Sequence, residues 1–142
     1  MKPKEKSEKD PRKLLNTAGL KNTAPRIAIL EVLFKTKQPE TVQDIYKKLK
    51  NIDLVTLYRT LDSFEKSQLV RQIDLHKDAV YYELNREHHH HIVCTRCGTV
   101  EDFRLCNMNL FIKKIVEKSS NFKMVNEHSL ELFGMCKACA TS

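Results

Sequence analysis

The sequence predicts an α+β chain: an N-terminal winged helix-turn-helix followed by a small α/β unit closed by cysteines. Three observations carry this expectation. Residues 10–68 place apolar side chains at helical spacing, punctuated by capping and breaking residues. Two short β-like runs, LVRQIDL and AVYYEL, come directly after them, as the wing follows the last helix of that fold. The second half carries two CxxC pairs, Cys94/Cys97 and Cys136/Cys139, separated by one helix-like and several strand-like stretches.

The elements follow in order. MKPKEKSEKD carries many charges and no apolar pattern, and predicts a mobile basic tail over residues 1–10. DPRKLLNTAG is a short helix, capped by Asp10, with Pro11 in its first turn and Gly19 at its end. A second helix starts near Thr23, with Ile27, Leu30, Leu33 and Phe34 on one face, and breaks at Gln38–Pro39. Thr41 caps a third, TVQDIYKKLK, with Asp44 in the place of a capping-box acid and Ile45 and Leu49 facing inward. The fourth, DLVTLYRTLDSFEKSQ, buries Leu57, Leu61 and Phe64, leaving Thr56, Tyr58, Arg59 and Thr60 on its other faces. The two β-like runs then form a hairpin joined at HKD, completing a winged helix over residues 11–83. In residues 84–142, HHHHIVC and TVEDF read as strands around the turn TRCG. LFIKKIVEKS is an amphipathic helix with the stripe Phe111, Ile112, Ile115 and Val116, and MVNEHSLELFG alternates like a last strand before CKAC.

The formal charge of +7 favours a polyanionic partner. No apolar run is long enough to span a membrane, and the N-terminus lacks the apolar core of a signal peptide. The expected setting is the cytoplasm, where the five cysteines are reduced and metal binding outranks disulfides. Two CxxC knuckles supply four soft ligands with little chain strain, so Cys94, Cys97, Cys136 and Cys139 predict a structural zinc site. The rival, a redox dithiol, needs only one such pair. Cys106 is left over and reads plainly as a small buried or idle thiol.

Four consecutive histidines, His88 to His91, precede the first knuckle. Side chains alternate along a strand, so His88 and His90 share one face and His89 and His91 the other. Each pair can begin a metal site. Glu83 at the end of the wing, Asp102 on the strand after the knuckle and His128 on the last strand are the acids and imidazole placed to extend them. A mixed nitrogen and oxygen set suits Fe2+, Mn2+, Zn2+ or Ni2+ without choosing among them. The plain alternative is a solvated histidine patch, and the sharper one a hydrolytic metal centre; nothing resembles HExxH.

These motifs together resemble the ferric uptake regulator family of metal-responsive bacterial repressors. AGLKNTAPRIAILEVL is similar to its opening helices, VTLYRTL to its recognition helix, HHHHIVCTRCGTVEDF to its metal-binding core, and EHSLELFGMCKAC to its C-terminal strand and second knuckle. The resemblance implies a winged helix followed by an α/β dimerisation domain. It implies structural zinc at Cys94, Cys97, Cys136 and Cys139, and a regulatory metal, Fe2+, Mn2+ or Zn2+, at Glu83, His89, His91 and Asp102. A further site would use His88, His90 and His128. For DNA it points to Lys21, Thr56, Tyr58 and Arg59.

Three departures from the family pattern stand out. Gln38 occupies the place of a regulatory histidine; His76 in the wing reads as an ordinary solvent-facing turn residue, with substitution for that histidine as the alternative. Asn109 occupies the place of an acid in the further site, and Cys106 is close enough to be considered instead. No cysteine stands near Glu83, as it often does in zinc-sensing members. Asp102 is reminiscent of the peroxide-sensing branch, but that branch relies on the histidine replaced by Gln38. The implied function is a metal-dependent repressor of metal-uptake or oxidative-stress genes. It would bind double-stranded operator DNA as a homodimer, with no membrane partner, no small-molecule substrate and no enzymatic activity. A zinc-ribbon RNA- or ribosome-associated protein and, further off, a metallohydrolase are the alternatives.

Overall fold

In a computed structural model, which describes residues 10–141, the chain divides into two compact units, one ending at Asn85 and the other beginning at Arg86. The predicted tail falls outside the described residues except for Asp10.

The first unit contains α1 (Pro11–Thr17), α2 (Ala24–Lys35), β1 (Glu40–Thr41), α3 (Val42–Lys48), α4 (Leu54–Lys66), β2 (Val70–Ile73) and β3 (Tyr81–Leu84). Its helix ends follow local chemistry. Asp10 accepts from the Arg12 N–H at 3.0 Å. Gly19, at φ 71°, lets the Gly19 and Leu20 N–H groups close α1 onto the carbonyls of Asn16 and Leu15. Thr41 and Asp44 form a reciprocal capping box on α3, and Asp53 caps α4 through the Thr56 N–H. The far end of α4 uses the same six-to-one closure as α1, with Leu69 N–H donating to the Phe64 carbonyl at 2.8 Å. Here the left-handed residue is Gln68, at φ 59°, where glycine would be favoured.

One cluster fills this unit: Leu15 of α1, Ile29, Leu30 and Leu33 of α2, Ile45 of α3, and Leu57, Leu61 and Phe64 of α4 are fully buried, and Val70, Tyr82 and Leu84 close it from the sheet. Two expectations are corrected. Helix α2 buries Ile29, while Ile27 and Phe34 are only partly covered, because α1, α3 and α4 all pack on it and no single stripe suffices. Thr60 of α4 is buried rather than outward.

The sheet has the order β1-β3-β2. The two-residue β1 has no alternation to reveal it; it pairs Glu40 with Tyr82 and Thr41 with Tyr81. The hairpin closes at Ile73–Tyr81, so its loop is longer than the HKD tripeptide. His76 takes φ 53° in that loop, its N–H donating to Asp74 Oδ1 at 2.8 Å.

The second unit contains β4 (His90–Cys94), β5 (Val100–Phe103), α5 (Asn109–Lys118), β6 (Glu131–Gly134) and α6 (Lys137–Ala140). Strands are ordered β5-β4-β6. β5 returns antiparallel after a turn in which Gly98 takes φ 76°. β6 runs parallel to β4, which requires a crossover, and α5 lies on that connection. The first strand begins at His90 instead of His88, and the last is shorter than its alternation implied, leaving His128 in the preceding loop. The stripe on α5 stays open: Phe111 and Ile115 are exposed, Ile112 and Val116 half-buried. Among the described residues of this unit, the buried apolar side chains are Val93, Cys94 and Val100. Such a core is thin for a sheet and a helix.

Candidate functional site

The strand directions of the second unit collect its metal-ligating side chains at both ends of the sheet. At one end β4 stops at Cys94, β5 starts just after Cys97, and β6 stops just before Cys136. The four cysteine sulfurs lie within 4.8 Å of one another. Cys97 Sγ and Cys136 Sγ are 3.7 Å apart; zinc–sulfur bonds of about 2.3 Å give a tetrahedral edge of about 3.8 Å. Backbone N–H groups aim at the cluster, foremost that of Cys97 and then that of Cys136 on Cys94, and pull the Cys94 thiol down to about 5. The Thr99 hydroxyl lowers Cys97. Cys139, beside Cys136, is pushed up to about 12. The protein alone therefore favours charge on Cys94 and Cys97 and disfavours it on Cys139, and a divalent cation at the cluster would offset that penalty. The donor set, its spacing and its charge all fit zinc.

At the other end β4 begins, β5 ends and β6 begins. His88 Nε2 is 3.0 Å from His90 Nε2, and Cys106 Sγ is 3.2 Å from His128 Nε2. The rings of His88 and His128 are 4.6 Å apart. The loop after β5 carries Cys106, the cysteine outside the two knuckles, to His128. Asn109 is the first residue of α5.

His89 and His91 form a separate pair, with ring centroids 5.0 Å apart. His91 is Cα-paired with Asp102 on β5, and its Nε2 is 3.6 Å from Asp102 Oδ1. A second acid, Glu131 on β6, is in register with His91 on the other side; only the parallel pairing reveals it. The two histidine pairs therefore fall as strand parity predicts, although His88 and His89 precede the strand itself.

In the first unit, Glu83 lies on β3 opposite Arg71, whose Nε donates to its carboxylate at 2.7 Å. Gln38 is exposed in the link before β1. Helix α4 turns Tyr58 and Arg59 outward, Tyr58 being 50% exposed. Thr56 is half-buried, and its hydroxyl donates to Asp53 Oδ2 at 2.7 Å. Lys21, between α1 and α2, is exposed, and its carbonyl accepts from Arg26 Nη1 at 3.1 Å.

A winged helix followed by a unit with thiolate and imidazole clusters defines a class: winged-helix proteins that carry metal-ligand sites. The chain belongs to the ferric uptake regulator family, whose sequence model matches residues 17–133. It is 36% identical over 131 residues to the ferric uptake regulation protein of Legionella pneumophila, covering 88% of this chain and 95% of that one. The crystal structure of the Vibrio cholerae ferric uptake regulator is similar at a TM-score of 0.72 and 36% identity, over 89% of this chain and 100% of that one. The Helicobacter pylori ferric uptake regulator, described as having three functional metal binding sites, is similar at a TM-score of 0.74 and 27% identity, over 92% of this chain and 89% of that one.

Proposed function

We propose that this chain is a metal-responsive transcriptional repressor that binds operator DNA as a homodimer. The observation that carries the reading is the exposed face of α4. Tyr58 and Arg59 point away from a fully packed core, on the helix that precedes the wing, the position from which a winged helix enters the major groove. Thr56 in the first turn of α4 and Lys21, which the resemblance to the family directs to the minor groove, complete the proposed DNA contacts. Family membership displaces the RNA-associated alternative. Among the described residues no helix is long and apolar enough to cross a membrane.

Dimerisation fits the second unit's apolar surface. Ile92 and Leu132 are register partners on one face of the sheet, 41% and 42% exposed, and α5 presents Leu110, Phe111 and Ile115. A self-complementary partner would bury what the thin core leaves open. Two copies then offer two α4 helices to two half-sites.

Cys94, Cys97, Cys136 and Cys139 hold a structural zinc in this reading. His89, His91 and Asp102 hold the regulatory ion, Fe2+, Mn2+ or Zn2+, and Glu83 joins them from the winged-helix unit, just upstream in the chain. The bound cation supplies positive charge that draws these donors together. The coupling expected between the regulatory ion and DNA is about 1–3 kcal/mol, or roughly 5- to 150-fold in DNA affinity.

The test is operator affinity of the full chain against free Fe2+, Mn2+, Zn2+ and Ni2+, for the natural sequence and for His89→Ala/His91→Ala. Metal should tighten binding in the former and leave the latter unchanged. Operator binding indifferent to all four metals would overturn the proposal.

A further inference from the structure

We infer that Cys106 is a metal ligand, completing with His88, His90 and His128 a closed, four-coordinate site of three imidazoles and one thiolate for a zinc-class ion. The site lies at the end of the sheet opposite the four cysteines. This goes beyond the regulatory reading and does not depend on it.

The four donor atoms lie within 4.8 Å of one another. His88 Nε2 and His90 Nε2 are 3.0 Å apart, and Cys106 Sγ and His128 Nε2 are 3.2 Å apart. A tetrahedral zinc with bonds of about 2.0–2.1 Å to nitrogen and about 2.3 Å to sulfur needs edges of about 3.3 Å and about 3.5 Å. Small side-chain adjustments therefore suffice to close the shell. The cluster is also held in place before any ion arrives. His90 is 1% exposed, between the rings of His128 at 5.3 Å and Phe103 at 5.4 Å.

The donor chemistry chooses the ion. Among the described residues no carboxylate joins the group. Three imidazoles and one thiolate suit tetrahedral Zn2+, with Co2+ as its spectroscopic stand-in, whereas Mn2+ prefers oxygen donors and six-fold coordination. The place of the ligands also gives the ion a task. Cys106 lies just before α5, and His128 lies on the connection from α5 to β6. α5 contributes no buried side chain, so the ion would anchor the connection that carries it from both sides.

The experiment uses the full chain with zinc already in the four-cysteine site. Titration with Co2+ should add an ion whose spectrum includes a near-ultraviolet thiolate-to-metal band, and Cys106→Ser should abolish that band. The same substitution should weaken Zn2+ binding at this site by about 100-fold or more, at or beyond the cost of losing an outer-shell partner. Independently, saturating Zn2+ should slow iodoacetamide alkylation of Cys106 at least tenfold, Mn2+ should not, and His128→Ala should remove the protection. A thiolate band that survives Cys106→Ser, or alkylation of Cys106 at an unchanged rate under Zn2+, would overturn the assignment. Equal protection by Mn2+ would overturn the choice of ion. None of these readouts involves DNA, so their failure leaves the regulatory reading standing.

Discussion

Removing one cysteine of the quartet should unfold the second unit and leave the first intact. The two units rest on very different cores. The first packs helices α1 to α4 and its sheet around one continuous cluster that includes Phe64, Leu30 and Ile45. The second buries Val93 and Val100, with Cys94 itself as their neighbour. Full burial of two valines is worth about 3–6 kcal/mol together. Structural zinc in small peptides is worth about 10–16 kcal/mol. Metal binding therefore outweighs apolar burial in the second unit, and Cys136→Ser should remove most of that stabilisation. Cys136 is suited to the test because its backbone N–H, which supports Cys94 Sγ at 3.3 Å, survives the substitution. Zinc content should fall by about one ion per chain. In hydrogen exchange, amides of β4, β5 and β6 should lose protection, while those of α2 and α4 keep theirs. A zinc-depleted Cys136→Ser protein whose β4 amides remain protected would refute the reasoning, since the apolar core would then be sufficient alone.

Three further outcomes are expected. Tyr58→Ala and Arg59→Ala should each weaken operator binding by about 1–3 kcal/mol without changing metal content, whereas Lys21→Ala should mainly lower affinity and its salt dependence; unchanged binding in the Tyr58/Arg59 double variant would move the DNA face elsewhere. Thr41→Ala should destabilise the first unit by about 0.5–2 kcal/mol. The Thr41 hydroxyl holds the Asp44 carboxyl below its ordinary value. The Asp44 contribution is therefore present above the ordinary carboxylate range and lost as pH falls through the lowered value, so chemical denaturation of Asp44→Asn and the natural protein should converge in strong acid, and a constant gap would contradict this. Arg71→Ala should increase the metal sensitivity of DNA binding, because the Arg71 guanidinium engages the Glu83 carboxylate; an unchanged metal titration would mean that Arg71 does not compete for Glu83.

Much of the first unit was legible because its signals are local. Asp10, Thr41 with Asp44, and Gly19 each act within a few residues, and the Leu57–Leu61–Phe64 stripe needs only helical periodicity. What stayed hidden depended on neighbours. Strand β1 exists because β3 offers it an edge. Thr60 is buried although it lies off that apolar stripe. Gln68 violates the preference for glycine in a left-handed cap and so gave no sign of the closure it makes.

The second unit separates two kinds of metal-ligand information. Ligands carried on one strand obey parity, which is why the split of the histidines into His88/His90 and His89/His91 can be read without any structure. Ligands supplied by loops obey topology instead. The parallel pairing of β6 with β4 brings the residues just before β6 to the beginning of β4, and antiparallel β5 ends at the same place. His128 and Cys106 arrive beside His90 for that reason, and meet each other although 22 positions apart in sequence. The same pairing sends the C-terminal end of β6 to Cys94, so one choice of strand direction builds both clusters. Antiparallel pairing of β6 would exchange its ends, taking Cys136 toward the histidines and His128 toward Cys94. Neither four-donor group would then form, which makes the direction of β6 a topological fact on which both proposed ions depend.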